Sequence, residues 1–176
     1  GGDTVSSPVT MITVTVIGNA KSIKGGGKPA ILSRYAARPG DLIAVTGTLG
    51  SSAGGLELIL KSPTGIPERL SPLLQAHRRP WPRIKEGQLL LEAGVRCGMD
   101  LSDGLAGDIL RICNASGIGS EIEVDRLPMN PLLVEVFGTR APEMALSGGV
   151  DYELLCTALP AVVGRARCLL CLPAPS

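Results

Sequence analysis

The sequence predicts a domain of the α/β (α+β) class, and three observations lead to this prediction. Short β-branched segments alternate along the chain with segments of helical periodicity. Apolar residues make up 44% of the 176 residues, which is enough to bury a sizeable core. The 23 glycines and 14 prolines are frequent between the apolar segments, where they indicate turns and tight loops.

The first half of the chain is predicted to contain two strands and two helices. Residues 9–17 are β-branched and partly alternating, which is typical of a strand. Residues 42–46 form a short buried strand, and the Gly/Ser-rich turn after it begins a helix over residues 53–61. Residues 62–83 are a Pro-rich connection, and a helix follows over residues 84–93.

The second half continues the same mixture of elements. Helical periodicity predicts helices over residues 103–115 and 130–137. Apolar and β-branched residues predict strands over residues 121–124 and 152–157. After residue 158 the chain is expected to end without a clear closing element.

Composition and charge argue against several classes of function. Seventeen Lys and Arg against sixteen Asp and Glu give a net charge of +1, which disfavours binding to nucleic acid or to a membrane surface. An aromatic content of 2% disfavours stacking on bases, and no apolar run is long enough to span a membrane. Five cysteines with only one CxxC pair, Cys168 and Cys171, and a single histidine disfavour a zinc site or a catalytic triad, and they indicate a reducing, cytoplasmic compartment.

The strongest local motif lies at residues 99–105, where an apolar segment enters a helix. Asp100 and Asp103 place two carboxylates around Ser102 at a helix N-terminus, a combination that suits Mg²⁺ and phosphate. Plain helix capping by Ser102 is the alternative interpretation, since acidic residues there gain about 0.3–1 kcal/mol from the helix dipole. Asp108, further along this helix, is predicted to lie on a solvated face.

Three weaker motifs have equally ordinary alternatives. Gly1-Gly2-Asp3 could place backbone N–H groups and a carboxylate beside a Mg-phosphate, or form a simple turn. Residues 148–153 combine a glycine pair with two acids and a tyrosine, and a hairpin or bulge is the alternative. The basic residues 77–83 suit either phosphate or a solvated connection.

Taken in order, these motifs resemble thiamine-monophosphate kinase, a family in the superfamily that includes aminoimidazole ribonucleotide synthetase. The resemblance implies that residues 21–176 are a C-terminal domain of that fold, a mixed sheet packed with helices and truncated at its end. It also implies that residues 1–20 are the last loop and strand of an N-terminal ATP-binding domain. The matching segments are Gly1-Gly2-Asp3-Thr4, Arg38-Pro39-Gly40-Asp41 and residues 45–54, 100–105, 145–149 and 151–154.

The activity that the resemblance implies is ATP-dependent phosphorylation of thiamine monophosphate to thiamine diphosphate. The γ-phosphoryl group would pass directly in line, with Mg²⁺ neutralising charge and no protein nucleophile. The full-length protein would be a cytoplasmic homodimer, and the present chain alone is expected to be inactive because part of the metal cluster lies upstream. A related enzyme with another substrate and a non-catalytic domain that binds nucleotide or a partner are the alternatives.

The resemblance also implies roles for individual residues. Val150 takes the position of a family glutamate that contacts the substrate, yet its side chain can neither accept a hydrogen bond nor attract a cationic ring. The implied Mg²⁺ ligands are Asp3, Asp100 and Asp103. The residues implied to contact ATP are Gly2, Asp3, Arg34 and Ser102.

Overall fold

The computed structural model describes residues 8–10, 13–20, 30–61 and 65–171, which contain three strands and seven helices. The strands are β1 (Leu42–Val45), β2 (Cys97–Asp100) and β3 (Leu154–Ala158). The helices are α1 (Ser51–Lys61), α2 (Ser71–Arg78), α3 (Ile84–Ala93), α4 (Leu105–Ser116), α5 (Pro131–Phe137), α6 (Ala141–Ser147) and α7 (Pro160–Cys171). Three 3₁₀ turns span Glu68–Leu70, Val124–Arg126 and Gly138–Arg140. In these ranges no helix combines the length and the apolar character that crossing a membrane requires.

The three strands form one sheet in the order β1-β3-β2, with both ladders antiparallel. An isolated parallel bridge between Ser33 and Cys97 adds a further contact to the β2 edge. The central strand β3 is buried on both faces because helices cover the sheet from each side. This arrangement confirms the predicted α/β (α+β) class.

Alternate residues of β3 divide the core into two layers. Leu155 faces the layer that α4 covers, and Cys156 faces the layer that α3 and α7 cover. Helix α4 buries one face at helical spacing, which is why the sequence predicts it well. The buried α4 residues in the first layer are Leu105, Ile109, Ile112 and Cys113. The second layer contains Leu90, Ala93, Val95, Ala158 and Ala166.

Helices α1 and α2 approach each other so closely that one α1 position requires glycine. A Cβ added to Gly55 would lie 2.1 Å from the Leu73 carbonyl oxygen and 2.8 Å from its carbonyl carbon. Leu73 is fully buried in a third core cluster with Leu133 and Met144. Backbone atoms cannot rotate away as a flexible side chain can, so this contact sets the distance between the two helices.

Gly55→Ala is therefore expected to lower the free energy of unfolding by about 1–3 kcal/mol through overpacking. The control is Gly164→Ala in α7, where an added Cβ meets nothing within 4 Å. Alanine is the better helix former by up to about 1 kcal/mol, so the control should be neutral or stabilising. Urea unfolding of both variants measures the difference, and equal effects would contradict the close approach.

Two predicted strands are wrong in the part of the chain that the structure describes. Residues 13–20 form no strand, and Val16 and Ile17 are 87% and 94% exposed. A strand needs a partner for its backbone groups, and these residues have none among the described ranges. Residues 121–124 likewise form no strand; the chain turns there through the 3₁₀ segment Val124–Arg126.

Three helices occur where the sequence analysis predicts none. Helix α2 lies inside the Pro-rich connection at 62–83, α6 precedes the second glycine pair, and α7 follows residue 158. Pro72 and Pro142 occupy the first turn of α2 and α6, and α7 begins at Pro160. Proline is compatible with a first helical turn because the N–H it lacks has no intrahelical partner there. These prolines mark helix starts, and the expectation of an end without a closing element is wrong for Pro160–Cys171.

Candidate active site

The loop after β2 contains the carboxylates predicted as metal ligands. Leu101 and Leu105 are buried on either side of this loop and fix both of its ends. Gly104 has a φ of 95°, and an added Cβ would lie 2.9 Å from the Leu146 carbonyl oxygen. Glycine is therefore required where the loop turns into α4.

Asp108 lies beneath the surface and binds the backbone of this loop, so the prediction that Asp108 lies on a solvated face is wrong. Its carboxylate is fully buried and accepts the backbone N–H groups of Ser102 at 2.9 Å and Asp103 at 3.1 Å. Both bonds end on Oδ2, whereas Arg111 donates to Oδ1. The capping interpretation is also wrong for Ser102, because α4 begins at Leu105 and its N-cap is Gly104 without a side-chain bond.

Asp100 and Asp103 both point toward solvent from this loop. Asp100 is exposed at the end of β2, and Asp103 is 58% exposed and forms an ion pair with Arg111. Carboxylate oxygens are hard donors that suit Mg²⁺, and a guanidinium cation already lies against one of them. The donor set therefore fits a divalent cation. In the described ranges no three His, Cys, Asp or Glu side chains group as a metal site, and the third predicted ligand, Asp3, lies outside those ranges.

The glycine pair Gly148-Gly149 and the residues after it pack directly against the Asp100–Asp103 loop. The backbone N–H of Val150 donates to the Ser102 carbonyl at 2.9 Å, and that of Tyr152 donates to Leu101 at 2.9 Å. A Cβ on Gly149 would lie 2.5 Å from the Ser102 carbonyl oxygen. The structure thus brings Val150 beside the Asp100–Asp103 loop.

The two acids after Val150 make internal contacts. Asp151 accepts the backbone N–H groups of Gly50 at 2.7 Å and Ser52 at 3.1 Å, which caps the start of α1. Burial raises the pKa of the Asp151 carboxyl to about 6, although both backbone bonds act in the opposite direction. Glu153 is buried and forms two bonds with Arg83, to Nε at 2.7 Å and to Nη2 at 2.6 Å.

A cleft of about 480 Å³ opens between α1 and α6 and reaches the Gly148–Val150 loop. Leu56, Leu60 and Met144 line it with apolar side chains, and Val150 closes one end. The opposite face of the Val150 loop contacts Ser102, so the cleft and the loop with the two carboxylates share one wall.

The charges around this cleft are unequally paired. Arg140 donates to both oxygens of Glu57, at 2.7 and 2.6 Å, and Lys61 adds a third contact to that carboxylate. Hydrogen bonds from Arg140 and Lys61 lower the pKa of Glu57 to about 2. Glu143 also lines the cleft, and no side chain in the described ranges forms an ion pair with it. The Glu143 carboxylate therefore faces the cleft outside ion-pair distance of any cation in those ranges, although the charge of Arg140 still acts on it.

Comparison with known proteins agrees with the motif order. The model of the family described as "AIR synthase related protein, C-terminal domain" matches residues 38–162, which is well over half of the chain. This chain belongs to the AIR synthase-related family. The thiamine-monophosphate kinase of Salmonella typhimurium is 41% identical over 160 residues, covering 89% of this chain and 46% of that protein.

Two solved structures are similar to this AIR synthase-related domain. One is thiamine-monophosphate kinase from Stenotrophomonas maltophilia K279a, with a TM-score of 0.72 at 35% identity over 78% of this chain and 45% of that chain. The other is AaThiL complexed with AMPPCP and TMP, with a TM-score of 0.71 at 36% identity over 76% of this chain and 44% of that chain. The resemblance to thiamine-monophosphate kinase is confirmed, and the chain spans about half the length of the curated relatives it matches.

The remaining predicted site residues of this AIR synthase-related chain are only partly placed. Gly2 and Asp3 lie outside the described residues. Arg34 is exposed, and its carbonyl oxygen accepts a bond from Ser116 Oγ at 2.9 Å, beside the last turn of α4. The phosphate contact implied for its side chain stays a prediction.

Three structural pairs escaped the sequence analysis. Arg83 holds Glu153, and His77 Nδ1 lies 3.0 Å from the buried hydroxyl of Ser52, which joins α2 to α1. These two partnerships join residues distant in the chain, so no local pattern indicates them. Asp108 and Arg111 are three residues apart on one helix, and that spacing was a signal that could have revealed their pairing.

Proposed function

We propose that this chain is the C-terminal part of a kinase that transfers the γ-phosphoryl group of ATP to thiamine monophosphate. The observation that carries the proposal is its similarity to AaThiL, which is complexed with AMPPCP, an ATP analogue, and TMP. The shared name of the curated relatives favours this acceptor over another substrate of the superfamily. Because the chain covers about half of each relative, the activity belongs to the longer protein.

The domain assignment and the setting of the enzyme form part of this proposal. In the longer protein, residues 1–20 are the last loop and strand of an ATP-binding domain, where neighbouring strands supply the partner that residues 13–20 lack among the described ranges, and residues 21–176 are the C-terminal domain. The exposed apolar side chains of Val14, Val16 and Ile17 support a missing neighbour for the first segment. The full-length protein is a cytoplasmic homodimer without nucleic-acid or membrane partners, and the free thiols of Cys97, Cys113, Cys156 and Cys168 are consistent with a reducing compartment.

Asp100 and Asp103 hold Mg²⁺ in this proposal, with Asp3 as the third ligand and Gly2, Asp3, Arg34 and Ser102 against ATP. When bound, Mg²⁺ neutralises charge on the phosphates and orients them for in-line transfer. Asp108 contributes by fixing the backbone of Ser102 and Asp103 before the ligands arrive. Such preorganised positioning, rather than a protein nucleophile, is what phosphoryl transfer requires.

The cleft beside Val150 takes the ring-bearing end of the acceptor. Its wall is largely apolar, and the Glu143 carboxylate, which no cation in the described ranges contacts directly, suits the positive charge of a thiazolium ring. Val150 supplies contact surface only, so Glu143 is the group in this cleft that attracts a cation. The shared wall with Ser102 puts the acceptor next to the metal-binding loop.

The test is Mg²⁺-dependent binding of AMPPCP to the chain, measured by calorimetry. Replacing both carboxylates, Asp100→Asn with Asp103→Asn, is expected to weaken the Mg²⁺-dependent binding at least about tenfold. The matched control is Asp125→Asn with Glu135→Gln, which removes two exposed carboxylates elsewhere. Unchanged binding in the first double variant would contradict the metal site and favour a purely structural role for the loop.

A further inference from the structure

Arg111 contacts two carboxylates that have different environments. Its Nη1 donates to Asp108, which is fully buried, and its Nη2 donates to Asp103, which is 58% exposed. Arg111 itself is 45% exposed near the middle of α4. One arm of the guanidinium is thus fixed inside the protein, and the other reaches the solvent-facing loop.

We propose that Arg111 is the counter-ion that Asp103 exchanges for a divalent cation. The proposal rests on the metal site proposed above and adds a residue that is neither a ligand nor part of the loop. In the absence of metal, Arg111 neutralises Asp103. When Mg²⁺ binds, the Asp103 carboxylate leaves Nη2, and the guanidinium stays bound to Asp108.

The exchange follows from competition for the same oxygens. A carboxylate oxygen that accepts from a guanidinium offers that lone pair to a metal ion only after the bond is broken. An ion pair between two largely exposed groups is weak, so a divalent cation can displace it. Arg111 therefore lowers the apparent metal affinity by a small factor instead of preventing binding.

The loop does not depend on the arm that is released. The N–H groups of Ser102 and Asp103 both end on Asp108 Oδ2, whereas Arg111 binds Oδ1. Breaking the Arg111–Asp103 pair thus leaves the backbone contacts of the loop in place. Asp108 still retains the Arg111 guanidinium that balances its buried charge.

Asp100 differs from Asp103 in this respect. It is exposed at the end of β2, and no arginine or lysine in the described ranges forms an ion pair with it. A cation can therefore meet Asp100 without displacing any partner. Only binding to Asp103 requires that an ion pair, the one with Arg111, is broken first.

The test uses Mn²⁺ as the probe and electron paramagnetic resonance as the readout, with the 176-residue chain. Arg111→Met keeps a long apolar side chain and removes the competing cation, so the Mn²⁺ affinity is expected to rise about twofold to fivefold. Arg126→Met is the matched control, because Arg126 also pairs with an acid three residues away, Glu123, but on an exposed turn. The control should bind Mn²⁺ as the wild type does.

The sign of the change separates exchange from a structural role. If Arg111 only supported the loop, Arg111→Met would weaken Mn²⁺ binding, and a weakened or unchanged affinity overturns the proposal. Arg111→Lys covers the case in which the methionine variant does not fold, because one ammonium can balance Asp108 but cannot fork to both acids. It should also bind Mn²⁺ more tightly than the wild type, and an affinity that is unchanged or lower overturns the exchange.

Adding Asp103→Asn identifies the carboxylate involved. In that background the Arg111→Met substitution should no longer raise the affinity, and a persistent gain would contradict exchange at Asp103. A wild-type chain that binds no Mn²⁺ would overturn the metal site and the exchange together. A wild type that binds Mn²⁺ but does not respond to Arg111 would overturn the exchange alone.

Discussion

Replacing Arg83 with methionine is expected to lower the free energy of unfolding by about 3–5 kcal/mol. Arg83 is bonded through Nε and Nη2 to the two oxygens of Glu153, whose side chain is only 10% exposed. Without the guanidinium, the charge of Glu153 stays inside the protein with the Thr46 hydroxyl as its remaining side-chain donor. An uncompensated buried charge costs far more than the net worth of the pair.

A double-mutant comparison distinguishes this cause from a simple loss of packing. Arg83→Met combined with Glu153→Met removes both charges, so the double variant should unfold at a higher urea concentration than Arg83→Met alone. Arg126→Met, which breaks the exposed pair with Glu123, should cost at most about 1 kcal/mol. A double variant less stable than Arg83→Met would show that packing, and not the stranded carboxylate, causes the loss.

The Arg83–Glu153 pair matters to the site because it fixes the strand that supports both loops. The Glu153 carbonyl oxygen accepts the N–H of Leu101 at 2.8 Å, one residue after Asp100. Arg83 is therefore linked to the Asp100–Asp103 loop through Glu153, the residue that directly precedes β3. A shift of Glu153 would move the wall that Val150 and Ser102 share.

The sequence was sufficient to predict the fold class and the loop of the candidate site. Helix α4 and the 84–93 helix bury one face at regular spacing, and this is the signal that sequence patterns report best. The motif at residues 99–105 also lies where predicted, at the entry to a helix, although the strand β2 before it was predicted only as an apolar segment. Local sequence carries this information because neighbouring residues make these elements.

What the sequence could not predict depends on contacts between distant segments. Asp108 was placed on a solvated face because an acid near a helix start is usually exposed, but its burial depends on the Ser102 and Asp103 N–H groups. Pro72 lies in the segment interpreted as a Pro-rich connection, yet it occupies the first turn of α2. A strand at residues 9–17 was expected from β-branched composition, which supplies no partner strand.

Asp151 shows the same limit in the acids of the second glycine motif. Its position after Gly148 and Gly149 made it a candidate for chemistry, yet it caps α1, a helix that lies about a hundred residues earlier in the chain. The glycine pair is required for a different reason. A Cβ added to Gly148 would lie 2.2 Å from the Met144 carbonyl oxygen, and one added to Gly149 would lie 2.5 Å from the Ser102 carbonyl oxygen. Neither position therefore has room for a side chain.

This buried cap is expected to make stability depend on pH in an unusual direction. Burial raises the pKa of Asp151 from its ordinary 3.8 to about 6, so the folded chain holds this proton more tightly than the unfolded chain. The contribution of Asp151 to stability is therefore complete below about pH 3.8 and is lost as the pH rises to about 6, a difference of roughly 3 kcal/mol.

Asp151→Asn should remove that slope, because asparagine does not titrate and keeps one oxygen to accept a backbone N–H of α1. Urea unfolding at several pH values between about 4 and 7 gives the difference between the wild type and the variant, in which the contributions of all other groups cancel. Asp125→Asn is the matched control, since it removes one exposed carboxylate without touching α1. The wild type and Asp125→Asn should lose stability relative to Asp151→Asn as the pH rises; parallel curves would contradict a buried, proton-retaining cap, because the carboxylate would then titrate alike in both states.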